Sequence, residues 1–182
     1  MNGQKRTALI TGASGGIGYE FAKLCAQDHN NLVLIARSGS KLAQIADELQ
    51  QQFGISARSI ALDLASPIAP QFLFDQLQRE GIPIDILVNN AGYGRFGEFA
   101  ELPLEESLGQ IQLNVLALTA LTRLFVGPML ERRSGKIMNV ASTAGLQLTP
   151  VFKDAPEQNR RCYSGKCVPW MPALWRATAI AG

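Results

Sequence analysis

Two hydrophobic periods alternate along the chain. Short, mainly apolar runs recur: Thr7-Ala8-Leu9-Ile10, Leu32-Val33-Leu34-Ile35, Ile84-Asp85-Ile86-Leu87-Val88 and Gly135-Lys136-Ile137-Met138-Asn139-Val140. Such runs are expected of parallel strands covered on both faces. Together with a strand over 55–62 they make five. Between them, apolar residues fall at helical spacing. The pattern predicts helices over 19–27, over 40–52 with Leu42, Ile45, Ala46 and Leu49 on one stripe, and over 67–80 with Phe72, Leu73 and Leu77 facing inward. One or two long helices are predicted over 103–130. Gly54 is placed to end the second helix. Strand and helix in strict alternation imply an α/β fold, a doubly wound parallel sheet in three layers.

This pattern holds through about residue 150 and then stops. Residues 151–182 hold both tryptophans, two of the three cysteines and three of the nine prolines. They show no strand period, so 1–150 is read as one domain and 151–182 as an atypical, poorly ordered tail that forms no domain of its own. No internal repeat, low-complexity segment or linker is visible.

Composition narrows the function classes. Hydrophobic content of 47% with 18% charged residues describes an ordinary globular chain. A net charge of +2 gives no pull toward nucleic acid or an anionic membrane surface. No apolar run is read as approaching the roughly 20 residues of a membrane span, and residues 1–6 lead straight into the first strand with no leader pattern. Three cysteines, an odd and sparse set, point to a reducing, cytoplasmic setting. The lone histidine, His29, lies in a polar connector. That argues against a Ser-His-Asp hydrolase and against histidine-based metal sites.

The candidate chemistry begins at Thr11-Gly12-Ala13-Ser14-Gly15-Gly16-Ile17-Gly18, between the first strand and the first helix. Glycines let backbone N–H groups approach a phosphate closely, and the following helix N-terminus adds partial positive charge. The spacing is not G-x-G-x-x-G, since Phe21 stands where the third glycine would be. It is not a P-loop either, since no Gly-Lys-Ser/Thr follows. At the end of the second strand stands Arg37. In dinucleotide folds an acid there accepts from the 2′-hydroxyl of NAD, whereas an arginine can hold the 2′-phosphate of NADP. The chain has Ala36-Arg37-Ser38 and no acid, which favours NADP(H) over NAD(H). The alternative is a solvated loop charge.

Thr-Gly-x-x-x-Gly-x-Gly followed, at the end of the fourth strand, by Asn89-Asn90-Ala91-Gly92 resembles the short-chain dehydrogenase/reductase family over roughly residues 5–150. The resemblance implies an NADP(H)-dependent oxidoreductase moving a hydride between the nicotinamide and a small carbonyl or alcohol substrate. It implies cofactor contacts from Gly12, Ser14, Gly15, Gly16, Ile17, Gly18, Arg37, Asp63, Leu64, Asn90, Ala91 and Gly92. Asp63 is equally readable as a turn residue. It implies catalytic roles for Ser142, which would orient the substrate carbonyl, and for Asn114, similar to a water-holding member of the set. Ser142 as a turn cap and Asn114 as a helix-bend or core residue are the plain alternatives. Family members associate through the long helices, here 104–130.

One part of the family pattern is missing. The family's Tyr-x-x-x-Lys, whose lysine lowers the tyrosine pKa for proton transfer, has no counterpart near 153–155. The only later tyrosine is Tyr163, with Lys166 at i+3 and with Gly165, Pro156 and Pro169 around it. The expected reading is a truncated or altered C-terminal side. Its alternative is a remnant that binds cofactor without turnover. An edge strand left unpaired beside the gap and exposed apolar helix faces would then make the chain marginally stable.

Overall fold

The computed structural model describes residues 5–95 and 101–141, and Thr178–Ile180 as a strand. The element order is β1 (Thr7–Thr11), α1 (Gly16–Gln27), β2 (Asn31–Ala36), α2 (Gly39–Phe53), β3 (Ala57–Ala61), α3 (Ala69–Arg79), β4 (Ile86–Asn89), α4 (Leu104–Ile111), a π-helical stretch Gln112–Ala117, α5 (Leu118–Glu131), β5 (Gly135–Asn139) and β6 (Thr178–Ile180).

The strands form one sheet in the order β3-β2-β1-β4-β5-β6. The first five are parallel, as the alternation of elements requires. After β3 the chain crosses back to the far side of β1, so winding reverses between β1 and β4. The carboxyl ends of these two strands therefore open a crevice at the switch point.

Successive strand residues point to opposite faces. Leu9 of β1 joins Val33, Ile35, Leu87 and Ile137 beneath α3 and α5. Ala8 and Ile10 join Leu32, Leu34 and Val88 beneath α1 and α2. Two cores on one sheet explain why the strands read as continuous apolar runs. On α2 the buried stripe is the one expected: Leu42, Ile45, Ala46 and Leu49. Its C-cap, Gly54, is left-handed with φ 63°. His29 likewise sits in a left-handed turn between α1 and β2.

Three expectations are corrected. On α3, Leu73 and Leu77 are buried but Phe72 is half exposed. The ring that packs inward is Phe74, edge-on to Phe125 of α5 with centroids 5.2 Å apart. Phe72 precedes Leu73 and so projects about 100° away from the buried stripe.

The region after 151, where no strand period is visible in the sequence, contains β6. It pairs antiparallel with β5, Gly135 against Ile180 and Ile137 against Thr178, so β5 is not a bare edge along those residues. Three residues were too short a run to show a period among prolines and tryptophans. The remaining expectation for 151–177 lies outside the described residues.

The third correction concerns the membrane. The 28-residue helical run Leu104–Glu131 is long and apolar enough to cross one. Its second half nonetheless packs as a core helix, with Ala117, Leu121, Phe125 and Met129 buried at i, i+4, i+8 and i+12.

Candidate cofactor site

The glycine turn leaves β1 at Thr11 and enters α1 at Gly16. Gly12 holds φ +67°, and a Cβ on it would lie 2.9 Å from Asn90 Nδ2 and 3.0 Å from Ala91 Cα. A Cβ on Gly18 would press still closer, against the Gly12 carbonyl and Asn90. Both glycines are therefore demanded by the crossing of the two strand ends, β1 into α1 and β4 into its loop. The first turn of α1 carries no acid, so its unpaired N–H groups and partial positive charge face the crevice uncancelled. Ser14 and Gly15 are half-buried, while Gly16 and the side chain of Ile17 are exposed.

Thr11 is the hub that the sequence reading passed over. It is 1% exposed. Its hydroxyl accepts the N–H groups of Asn90 and Ala91, both at 2.9 Å, and donates to the Val88 carbonyl. Asn90 answers through its amide, which donates to the Thr11 and Gly12 carbonyls. The signal was available, since Thr11 is the first letter of the motif. Asn89 ties the next strand: its Nδ2 donates to Asn139 Oδ1 at 2.9 Å and to Thr122 Oγ1 at 3.0 Å. The paired asparagines thus bind three neighbouring strand ends. Ala91 is half-buried and Gly92 exposed, at the mouth of the crevice.

Arg37 is exposed just past the end of β2, beside the glycine turn, because Thr11, the last residue of β1, pairs with Ile35 of β2. Asp63 follows β3, with its Oδ1 accepting the Ala65 N–H at 3.0 Å and its carbonyl accepting the Ser66 N–H. It forms a turn and does not cap α3, whose N-cap is Ile68. Leu64 is buried among the residues beneath α3, so its side chain belongs to the core and only its backbone is left to face a cofactor.

Asn114 lies in the π-helical stretch, a distortion often associated with functional sites. Its Nδ2 donates to the Tyr93 carbonyl at 2.8 Å and its Oδ1 accepts the Tyr93 N–H at 3.1 Å. The amide is thereby satisfied by the loop that follows Gly92. Two more contacts hold this loop: the Arg95 N–H donates to Gln110, and the Arg95 guanidinium pairs with Glu106. Gly109 leaves room for the Tyr93 hydroxyl on α4, where a Cβ would stand 2.6 Å from it. Ser142, Tyr163 and Lys166 lie outside the described residues.

The arrangement offers a phosphate cradle, a cation at the β2 end and a polar hinge at the β4 end, all on the carboxyl side of the sheet. The family model for short chain dehydrogenases matches residues 6–153. A very-long-chain 3-oxoacyl-CoA reductase from Anas platyrhynchos is 35% identical over 151 residues, 80% of this chain and 47% of that protein. The ketoacyl reductase HetN from Nostoc is 39% identical over 140 residues, 77% and 48%. Among solved structures, a short-chain dehydrogenase from Sphingobium yanoikuyae in complex with NADPH superposes with a TM-score of 0.74 at 34% identity, covering 87% of this chain and 58% of that one. The chain spans about half the length of the curated relatives it matches. These relatives are reductases, and they lend no support to a remnant without turnover.

Proposed function

The chain belongs to the short-chain dehydrogenase family, and from that premise we propose that it is an NADP(H)-dependent reductase of ketones. The observation that carries this reading is the pairing of an acid-free glycine cradle with Arg37, and no carboxylate, at the end of β2. NADPH, when bound, supplies the hydride. Gly12 to Gly18 and the α1 N-terminus would hold its pyrophosphate, Arg37 its adenosine 2′-phosphate, and the Asn90 to Gly92 backbone its nicotinamide-side ribose.

Asn114 acts as a positioning residue, since its amide anchors the loop that follows Gly92 through both backbone groups of Tyr93. The Ser142 hydroxyl donates to the substrate carbonyl oxygen and orients it. The proton that completes the alcohol would come from a phenol in the family's scheme; Tyr163, with Lys166 at i+3 in place of i+4, is the only tyrosine of the sequence after residue 150. Because the relatives named above reduce 3-oxoacyl or ketoacyl groups, a 3-oxoacyl thioester is the first substrate class to try. We place the protein in the cytoplasm, on its sparse cysteines, and assign self-association to the apolar face of α4 and α5.

The test is NADPH consumption with 3-oxoacyl thioesters and simple ketones, beside titrations of NADPH and NADH. Expected are turnover, and an Arg37→Ala variant that weakens NADPH about tenfold or more while leaving NADH within about twofold. Equal weakening of both cofactors overturns the NADP(H) assignment. Tight NADPH binding with no turnover of any ketone overturns the reductase.

A further inference from the structure

β6 runs against the direction of the sheet. β1 to β5 are parallel, and a further strand of the same winding would arrive by a right-handed crossover and run the same way. β6 pairs antiparallel instead, with Gly135 opposite Ile180, Lys136 opposite Ala179 and Ile137 opposite Thr178. It is therefore not another turn of the winding. It is a strand laid along an existing edge, the geometry of β-strand addition.

The two partners are unequal. β5 is held on its other side by β4, in register from Ile86 with Lys136 to Asn89 with Asn139. The Lys136 N–H donates to the Asp85 carbonyl and the Val140 N–H to the Asn89 carbonyl, both at 2.9 Å. Gly135 is buried against α5, where a Cβ would run into the Met129 side chain. The edge is thus fixed whether or not β6 lies on it. β6 is three residues long, and residues 140–177 separate it from β5. So short a ladder gives few hydrogen bonds, each of modest net value, against the entropy of closing that long connection. Lys136 is exposed in the middle of β5. A lysine there suits a sheet edge and not a strand buried on both faces.

We propose that the outer edge of β5 is a docking surface for β6 of a second copy of this chain, so that two copies trade their β6 strands. The strand that fits is carried by every copy, in the register seen within one. Residues 140–177, at up to about 3.3 Å each when extended, are long enough to reach a neighbouring β5 as well as their own. Exchange in both directions is isologous and closes at two copies. It keeps every β5–β6 pair and needs no new surface. Protein concentration then decides between the two forms, set against the effective concentration of β6 on its own chain, about millimolar. The proposal is independent of the cofactor reading and of the contact assigned to α4 and α5.

The experiment traps the facing pair Lys136 and Ala179 by disulfide formation, in full chains with Cys162 and Cys167 replaced by Ser. One preparation carries Lys136→Cys and another Ala179→Cys. The two are mixed, held, oxidised briefly and mapped by mass spectrometry. Bridges joining position 136 of one chain to position 179 of the other are expected, with a yield that rises at least about tenfold between about 10 μM and about 1 mM. The double variant Lys136→Cys/Ala179→Cys, oxidised when dilute, should close the same bridge within one chain. Concentrating it after closure should then give no exchanged dimer, whereas the reduced double variant should give one.

Mixed chains that never join 136 to 179, while the double variant closes within itself at every concentration, would make β6 a fixed cover and overturn the proposal. Bridges between two copies of position 136 would show the β5 edges meeting directly, and would overturn it as well. So would a double variant that forms no bridge at all, since β6 would then not lie on β5.

Discussion

Thr11→Val tests whether one buried hydroxyl holds the switch point together. The substitution keeps shape and volume but removes the oxygen. Two backbone N–H groups, of Asn90 and Ala91, lose an acceptor at 2.9 Å, and the Val88 carbonyl loses a weaker donor at 3.3 Å. A buried donor without a partner costs about 1–3 kcal/mol. Both N–H groups are only part-buried, so the low end applies and the sum is about 2–3 kcal/mol. For a chain of this size that lowers Tm by about 5–10 °C. Thr11→Ser is the control. It keeps the oxygen and gives up one buried methyl, about 1 kcal/mol. Urea unfolding followed by circular dichroism gives both values, and an NADPH titration reads the site. The Val variant should be the less stable and should bind NADPH more weakly, because the ends of β1 and β4 are no longer held at the spacing that the cradle needs. If Thr11→Val is as stable as Thr11→Ser, the hydroxyl is not the hub and the account of the crevice is wrong.

Other expectations follow from the same geometry. Gly18→Ala places a methyl against the Gly12 carbonyl and Asn90. It should destabilise by about 1–3 kcal/mol and abolish measurable NADPH binding; a variant that binds normally would show the glycine turn to be adaptable. The face bearing Leu104, Leu108, Ile111 and Leu116 is 50–67% exposed at these residues. Leu108→Glu with Ile111→Glu should lower the mass seen by light scattering, and an unchanged mass distribution would remove that face as the contact. Burial pushes the Cys25 thiol above its ordinary range, and Asp28 adds to the effect. The folded chain therefore favours the neutral thiol. This contribution is complete at neutral pH and is lost as pH climbs from the unfolded thiol's range, about 8.5, through the higher folded value. Peptide mapping after alkylation near neutral pH should find Cys25 unlabelled until denaturant is added; rapid labelling of folded protein would contradict its burial.

The doubly wound sheet was legible in the chain because its signals are local. Apolar runs such as Leu32 to Ile35 exist only where both faces are covered, and a glycine turn between such a run and a helix has few other uses. Arg37 was legible for the same reason: the end of β2 can be counted from the motif. Tertiary structure decided what depended on distance across the sheet. Thr11 and Asn90 are 79 residues apart, and nothing near Thr11 says that its hydroxyl serves the end of β4. Asn114 was a polar residue in an apolar helix until the Tyr93 loop, 21 residues away, supplied both partners of its amide. Phe72 and Phe74 could not be ranked from spacing alone, because the choice was made by Phe125 on another helix. Periodicity fixes which face of an element is apolar. Which atoms meet across the crevice is fixed by how β1 and β4 are brought side by side, through hydrogen bonds between residues that the chain keeps far apart.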